Sequence, residues 1–244
     1  MAGRNAVKPT TTAARKPAKA GGAGKRSQRA ELAAERVAEI VRLLHERYGE
    51  ARCALDHRSP WELLVATILS AQCTDVRVNM VTPELFATYP TPEAMAAAPI
   101  EALESLIRTT GFYHNKAKSI QGAGRVISAT FGGKVPQTMD ELLMVPGAAR
   151  KTANVVLGVA FGKAEGVVVD THVFRIARRL GLARGETPQK VEQELMRVIP
   201  RERWIGFSHE VIHHGRAVCV ARKPRCAECH LEKLCTAKDK TWRS

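Results

Sequence analysis

The chain has 244 residues, enough for one or two domains with a sizeable core, and 45% of them are apolar. Net charge is +14; residues 1–30 carry eight Lys or Arg and no acid, which leaves +6 on the remainder. A basic body points to a polyanionic partner such as nucleic acid, with an anionic membrane surface the weaker reading, and apolar runs such as LLVATIL (63–69) fall well short of the roughly 18 residues a bilayer span needs.

The N-terminus has cations but no apolar core of secretory-signal length, so a cytoplasmic protein with reduced thiols is expected. Pro9, Pro17, Gly21, Gly22 and Gly24 argue against an amphipathic transit helix. Residues 1–27 are read as a disordered basic arm, either adding nonspecific DNA affinity or lacking a function. After the arm, Val37, Ile40, Val41, Leu44 and Tyr48 share one helix face, and Gly49 stops the helix. Ser59-Pro60-Trp61-Glu62 is a capping box with proline at the first helical position, and Thr138-Met139-Asp140-Glu141 is a second box. Thr91-Pro92 and Thr187-Pro188 open two further helices. Strand character is confined to GVVVD (166–170), too short to build a sheet, so the fold class is all-α, with roughly ten helices and no fixed-period repeat.

Residues 139–144 and 150–161 read as two helices around the turn VPGAA (145–149). Such a turn exposes successive backbone N–H groups beside a helix N-terminus, which suits a phosphate. Lys151 sits in that first helical turn, where the macrodipole disfavours a cation by about 0.3–1 kcal/mol. From the residues alone it is a phosphate contact, a solvated cation or a nucleophile. The dipole, the neighbouring Arg150 and partial desolvation would all favour the neutral amine that a nucleophile requires. Asp170 is expected to cap the next helix, and capping N–H donors would keep its carboxylate anionic beside developing positive charge. His172, at that helix start, is either packed or functional.

Four of the six cysteines crowd the C-terminal segment as Cys219, Cys226, Cys229 and Cys235. In a reducing compartment this density argues for a metal site, zinc or an iron–sulfur cluster, and the single close pair leans towards the cluster. Arg222, Lys223 and Arg225 lie within the first gap and would be held against phosphates by the pinned loop, unless the loop is merely solvated. Cys53 and Cys73 are expected to be buried thiols.

SAQCTD (70–75), GFYHNKA (111–117), VPGAARKTANVVLGVAFG (145–162), VDTHVFR (169–175) and the cysteine ladder together resemble the bacterial endonuclease III family over roughly residues 30–240. The resemblance implies a two-domain helix-hairpin-helix DNA glycosylase fold. A six-helix barrel domain would occupy 54–164, and 28–53 with 165–240 would form a discontinuous domain around a four-iron four-sulfur cluster on the four cysteines. It further implies a monomer acting on double-stranded DNA that carries a damaged pyrimidine or an abasic site. Lys151 would be the nucleophile, Asp170 its carboxylate partner, and the strand would be cut by β-elimination. Gln72 and Phe112 match positions that fill the vacated duplex space, although a helix-end amide and a core aromatic would read the same way. Gly147, Ala149 and His172 would join the DNA contacts. The family usually has glycine where Ala149 stands; a need for positive φ or close phosphate approach there predicts weaker DNA binding.

Two other functions compete. An adenine-mismatch glycosylase would share the cluster and the aspartate, but typically lacks the lysine and carries a further C-terminal domain, whereas nine residues follow Cys235 here. A non-catalytic, cluster-bearing DNA-binding protein is favoured only by Ala149.

Overall fold

The computed structural model describes the backbone of residues 21–242 and the side chains of residues 33–242. Residues 1–20 of the expected arm therefore lie outside the described residues. By backbone contacts the chain divides into two units, Met1–Glu35 and Arg36–Ser244.

The first helix, α1, spans Gly21–Tyr48, so residues 21–27 are helical, where a disordered arm was expected. The glycines there cost about 1 kcal/mol each relative to alanine, but Lys, Arg, Gln, Glu and Ala fill the following turns and favour helix. The expected apolar face is present: Ile40, Val41 and Leu44 are buried.

Ten further helices follow among the described residues: α2 Pro60–Leu69, α3 Asp75–Thr88, α4 Pro92–Ala97, α5 Ile100–Ile107, α6 Tyr113–Phe131, α7 Met139–Leu143, α8 Arg150–Phe161, α9 Thr171–Arg179, α10 Pro188–Val198 and α11 Trp204–Ala217. No strand occurs among these residues, and GVVVD is an extended segment whose Val167 and Val169 are buried.

Local chemistry accounts for the helix starts. Ser59, Thr91, Thr138 and Thr187 each accept a hydrogen bond from the backbone N–H three residues on, at 3.2, 3.2, 3.4 and 3.3 Å. The first box closes differently from the usual pattern: Glu62 Oε2 accepts from Arg58 N at 2.6 Å, one residue before the cap. In the second box, Thr138 Oγ1 donates to Glu141 Oε2 at 2.7 Å.

The buried apolar side chains form two clusters. One runs from Leu55 to Leu157 and centres on α2, which packs against α8 and buries all but two of its residues. The other joins Ile40, Val41 and Leu44 to Val167, Val169, the inner faces of α9, α10 and α11, and Leu231. Each fully buried leucine in them contributes about 1.5–3 kcal/mol. Lys151 stands on a helix of the first cluster and Asp170 at the start of α9, a helix of the second.

Candidate functional site

The hairpin is built from its turn outwards. Val145 and Ala148 are buried and anchor the turn, while Gly147 and Ala149 are exposed. Gly147 has φ +81, and a Cβ there would stand 2.9 Å from Ser119 Cβ and 3.1 Å from Ile68 Cγ2, so both backbone and packing demand glycine. Ala149 has φ −76 and ψ 169, an ordinary extended conformation. Of the two reasons for glycine at position 149, positive φ is therefore excluded and close phosphate approach stays; alanine fits the backbone, and only its methyl could hinder a phosphate.

Lys151 is exposed and has no hydrogen bond or ion pair among the described residues. Arg150 does not crowd it as a free charge, because its Nε donates to both carboxylate oxygens of Glu192 at 3.1 and 3.0 Å. Asp170 caps α9 as the sequence predicts: its Oδ1 accepts from Val173 N at 2.8 Å. Lys151 and Asp170 line one cavity of about 100 Å³, open to solvent. Its wall adds Asp75, His209, His213 and Arg216, none of which the sequence reading singled out. Arg216 pairs with Asp75 across 141 residues, and only the folded chain reveals that pairing. Burial lowers the pKa of His209 below the usual histidine value, with a smaller push from His213, so its imidazole is biased towards the neutral form.

A second opening carries Gln72, Phe112, Lys116 and Gly147. Gln72 has φ 53 and Phe112 φ 49, left-handed values that are uncommon outside glycine and cluster where surrounding structure over-determines them. Phe112 is 64% exposed, which excludes the core-aromatic reading, and Gln72 is exposed too. Beneath Phe112, the buried Lys116 donates from Nζ to Thr110 O at 2.8 Å, tying the loop to the first turn of α6.

Cys219, Cys226, Cys229 and Cys235 line a single cavity with Ile176, Leu180 and Val218. Among the described residues, no three His, Cys, Asp or Glu side chains are grouped as they would be to hold a metal ion. The four thiols surround a space instead of converging on a point. Burial pushes the Cys229 thiol up to about 11. Cys53 lines the Lys151 cavity and Cys73 packs on the first cluster, so both stand apart from the four.

The loop between Cys219 and Cys226 is held more firmly than its sequence suggests. Arg179 donates to Cys219 Sγ at 3.4 Å, Val220 O at 2.8 Å and Ala221 O at 3.1 Å. Arg175 Nη2 reaches Cys219 O at 2.9 Å, and Arg225 N reaches Val218 O at 3.0 Å. Arg222, Lys223 and Arg225 are exposed on this frame. His172 is half-buried against Gly215, and its Nδ1 lies 3.3 Å from Arg175 Nη2.

Residues 65–201 match the model of the HhH-GPD superfamily of base excision DNA repair proteins. Endonuclease III of Synechocystis is 56% identical over 201 residues, 82% of this chain and 92% of that protein. A non-covalent endonuclease III–DNA complex superposes with a TM-score of 0.79 at 43% identity, covering 83% of this chain and 95% of that one. A trapped endonuclease III–DNA covalent intermediate, an estranged-adenine complex, gives a TM-score of 0.79 at 44% identity over the same shares. By these matches the chain belongs to the endonuclease III family of the HhH-GPD superfamily.

Proposed function

We propose that the chain is a bifunctional DNA glycosylase and abasic-site lyase that removes oxidised pyrimidines, with Lys151 as nucleophile and Asp170 as its carboxylate partner. The observation that carries this reading is an exposed lysine, unpaired among the described residues, lining the same cavity as a carboxylate. As an endonuclease III relative the chain is a base excision repair glycosylase whose partner is DNA.

The chemistry follows from the two groups. A base within the duplex shields its own sugar carbon, so the damaged nucleotide turns out of the stack into the cavity. The neutral amine of Lys151 bonds to C1′ as the glycosidic bond breaks, and the departing base takes that electron pair and a proton. Asp170, whose Oδ1 accepts the capping N–H of Val173, stabilises the oxocarbenium-like charge at the sugar. Opening of the sugar ring gives an iminium between Lys151 and C1′. Loss of a proton from C2′ then expels the 3′ phosphate, and hydrolysis of the iminium frees the lysine.

The remaining residues bind DNA in this reading. Gln72 and Phe112 enter the space the nucleotide vacates, Gly147 and Ala149 present the hairpin's N–H groups to a phosphate, and His172, Arg222, Lys223 and Arg225 add contacts. Cys219, Cys226, Cys229 and Cys235 would hold a four-iron four-sulfur cluster; four thiols around a shared space fit a multi-iron core better than a single zinc ion. When bound, the cluster supplies a rigid metal–thiolate anchor for the basic loop. The first hydrophobic cluster would be the core of the six-helix lobe and the second the core of the cluster-bearing lobe. The curated relatives are bacterial, and no helix among the described residues is long and apolar enough to cross a membrane, so the proposed place of work is DNA in the bacterial cytoplasm.

Borohydride reduction during turnover of duplexes with one oxidised pyrimidine tests the reading. A covalent protein–DNA adduct is expected from the native chain and from Asp170→Asn at a reduced rate, and none from Lys151→Ala. An adduct of undiminished yield in Lys151→Ala would refute the assignment.

A further inference from the structure

Glu192 lies on α10, far in sequence from the hairpin, and the sequence reading gave it no role. Its side chain is buried, and burying a carboxylate is costly unless counter-charge and hydrogen bonds answer it. Both needs are met from α8. Arg150 Nε donates to Oε1 at 3.1 Å and Oε2 at 3.0 Å, and Asn154 Nδ2 donates to Oε1 at 2.8 Å. Arg150 immediately precedes Lys151, and Asn154 lies one turn further along the same helix.

The same carboxylate also rests on the segment that leads to Asp170. A methyl at Gly166 would overlap Glu192 Oε1 and stand 2.6 Å from Asn154 Nδ2. Gly166 does not have positive φ, so the demand for glycine here is the close approach of these side chains, not backbone conformation. From Gly166 the chain runs through the buried Val167 and Val169, with Val168 N donating to Ser208 Oγ at 3.1 Å, and ends at Asp170. One side chain thus touches the helix that presents Lys151 and the segment that presents Asp170.

We propose that Glu192 is a positioning residue that fixes the Lys151 amine relative to the Asp170 carboxylate through Arg150, Asn154 and Gly166. The inference rests on the assignment of Lys151 and Asp170 made above. Covalent attack is steeply sensitive to such placement: a misplacement of about 1 Å can cost about a hundredfold in rate. Glu192→Gln keeps the side chain's shape and removes the charge that grips Arg150. Gly166→Ala leaves the charge and displaces the carboxylate by a methyl group, so the two variants disturb the same contact by different means.

The test compares single-turnover adduct formation with borohydride, at saturating duplex carrying a preformed abasic site, with the equilibrium affinity for a reduced, uncleavable abasic duplex. Thermal melting of each full-length holoprotein identifies the temperature at which all variants are folded. Both variants are expected to form the adduct about tenfold or more slowly while affinity stays within about twofold. An unchanged rate in either folded variant overturns the proposal. So do matching losses of rate and affinity, which would mark a general structural role. Lys151→Ala runs alongside: an adduct in that variant refutes the nucleophile assignment itself, whereas its loss together with normal rates in Glu192→Gln and Gly166→Ala refutes only the role of Glu192.

Discussion

Around the four cysteines, the loop carbonyls of Cys219, Val220 and Ala221 are each gripped by an arginine of α9, and Arg179 reaches a thiol as well. Around Lys151 the pattern is reversed: the amine is exposed and has no partner among the described residues, while its neighbour Arg150 is tied down by a buried carboxylate. The first region commits its polar groups to holding shape. The second commits only the flanking groups and leaves the proposed nucleophile available. A side chain that must form and break a covalent bond gains nothing from a ground-state hydrogen bond, because stabilising the free enzyme does not lower the barrier.

Removing the available group should have the largest effect. Lys151→Ala is expected to reduce strand cleavage about a thousandfold or more, measured in single turnover, with little change in melting temperature because the side chain is exposed. Phe112→Ala comes next. Losing an aromatic proposed to stack in the duplex should cost about 1–3 kcal/mol, roughly 5- to 150-fold in base release from paired DNA. Lyase activity on a preformed abasic site should fall less, and stability should hold, since the ring is 64% exposed.

In the shape-holding region the expected readout is stability. Cys229→Ser removes one thiol of the proposed cluster site, and should release iron and lower the melting temperature by about 6–12 °C, equivalent to about 3 kcal/mol for a chain of this size. An equal fall in melting temperature from Lys151→Ala would abolish the contrast between the two regions.

The histidines near the cavity give a smaller, pH-dependent effect. Burial lowers the pKa values of His172 and His209 below 6.5; Asp170 partly opposes this for both, and Arg175 and Arg216 add to it for His172. The unfolded chain therefore takes up protons from about pH 6.5 downward while the folded chain resists them. The stability these groups contribute is present above 6.5 and is lost as the pH falls through their lowered values. Urea midpoints at pH 7.5 and 5.5 should fall in that order, and replacing both residues with glutamine should reduce the difference, the remainder coming from His214 and His230, whose pKa values burial also lowers.

Ala149→Gly should change least. With φ already at −76 there is no backbone strain to relieve, so any gain comes from closer phosphate approach, expected at no more than about threefold in DNA affinity. A larger gain would show that the methyl does obstruct the phosphate.

What the sequence made legible follows the range of the interactions. Caps at Ser59, Thr91, Thr138, Thr187 and Asp170 span three residues and could be read directly. The hairpin boundaries were legible for the same reason, while the four cysteines, close in sequence, line one cavity in the fold. Of the two reasons for glycine at position 149, positive φ falls away and clearance for a phosphate stays; a family's glycine does not reveal which of the two it serves, while the nearby Gly147 serves both backbone and packing. Glu192, Arg179 and the Asp75–Arg216 pair were hidden because their partners lie 38 to 141 residues away. Glu192 left one faint local signal: it neighbours Val191 and precedes Leu195 on the buried side of α10, where a carboxylate is out of place.

Mapping the borohydride-reduced adduct by mass spectrometry, after digestion of both protein and DNA, tests the central claim most directly. The account predicts a deoxyribose-derived remnant on Lys151, in the peptide spanning residues 151–163. A remnant on another lysine, or on the N-terminal amine, would contradict it.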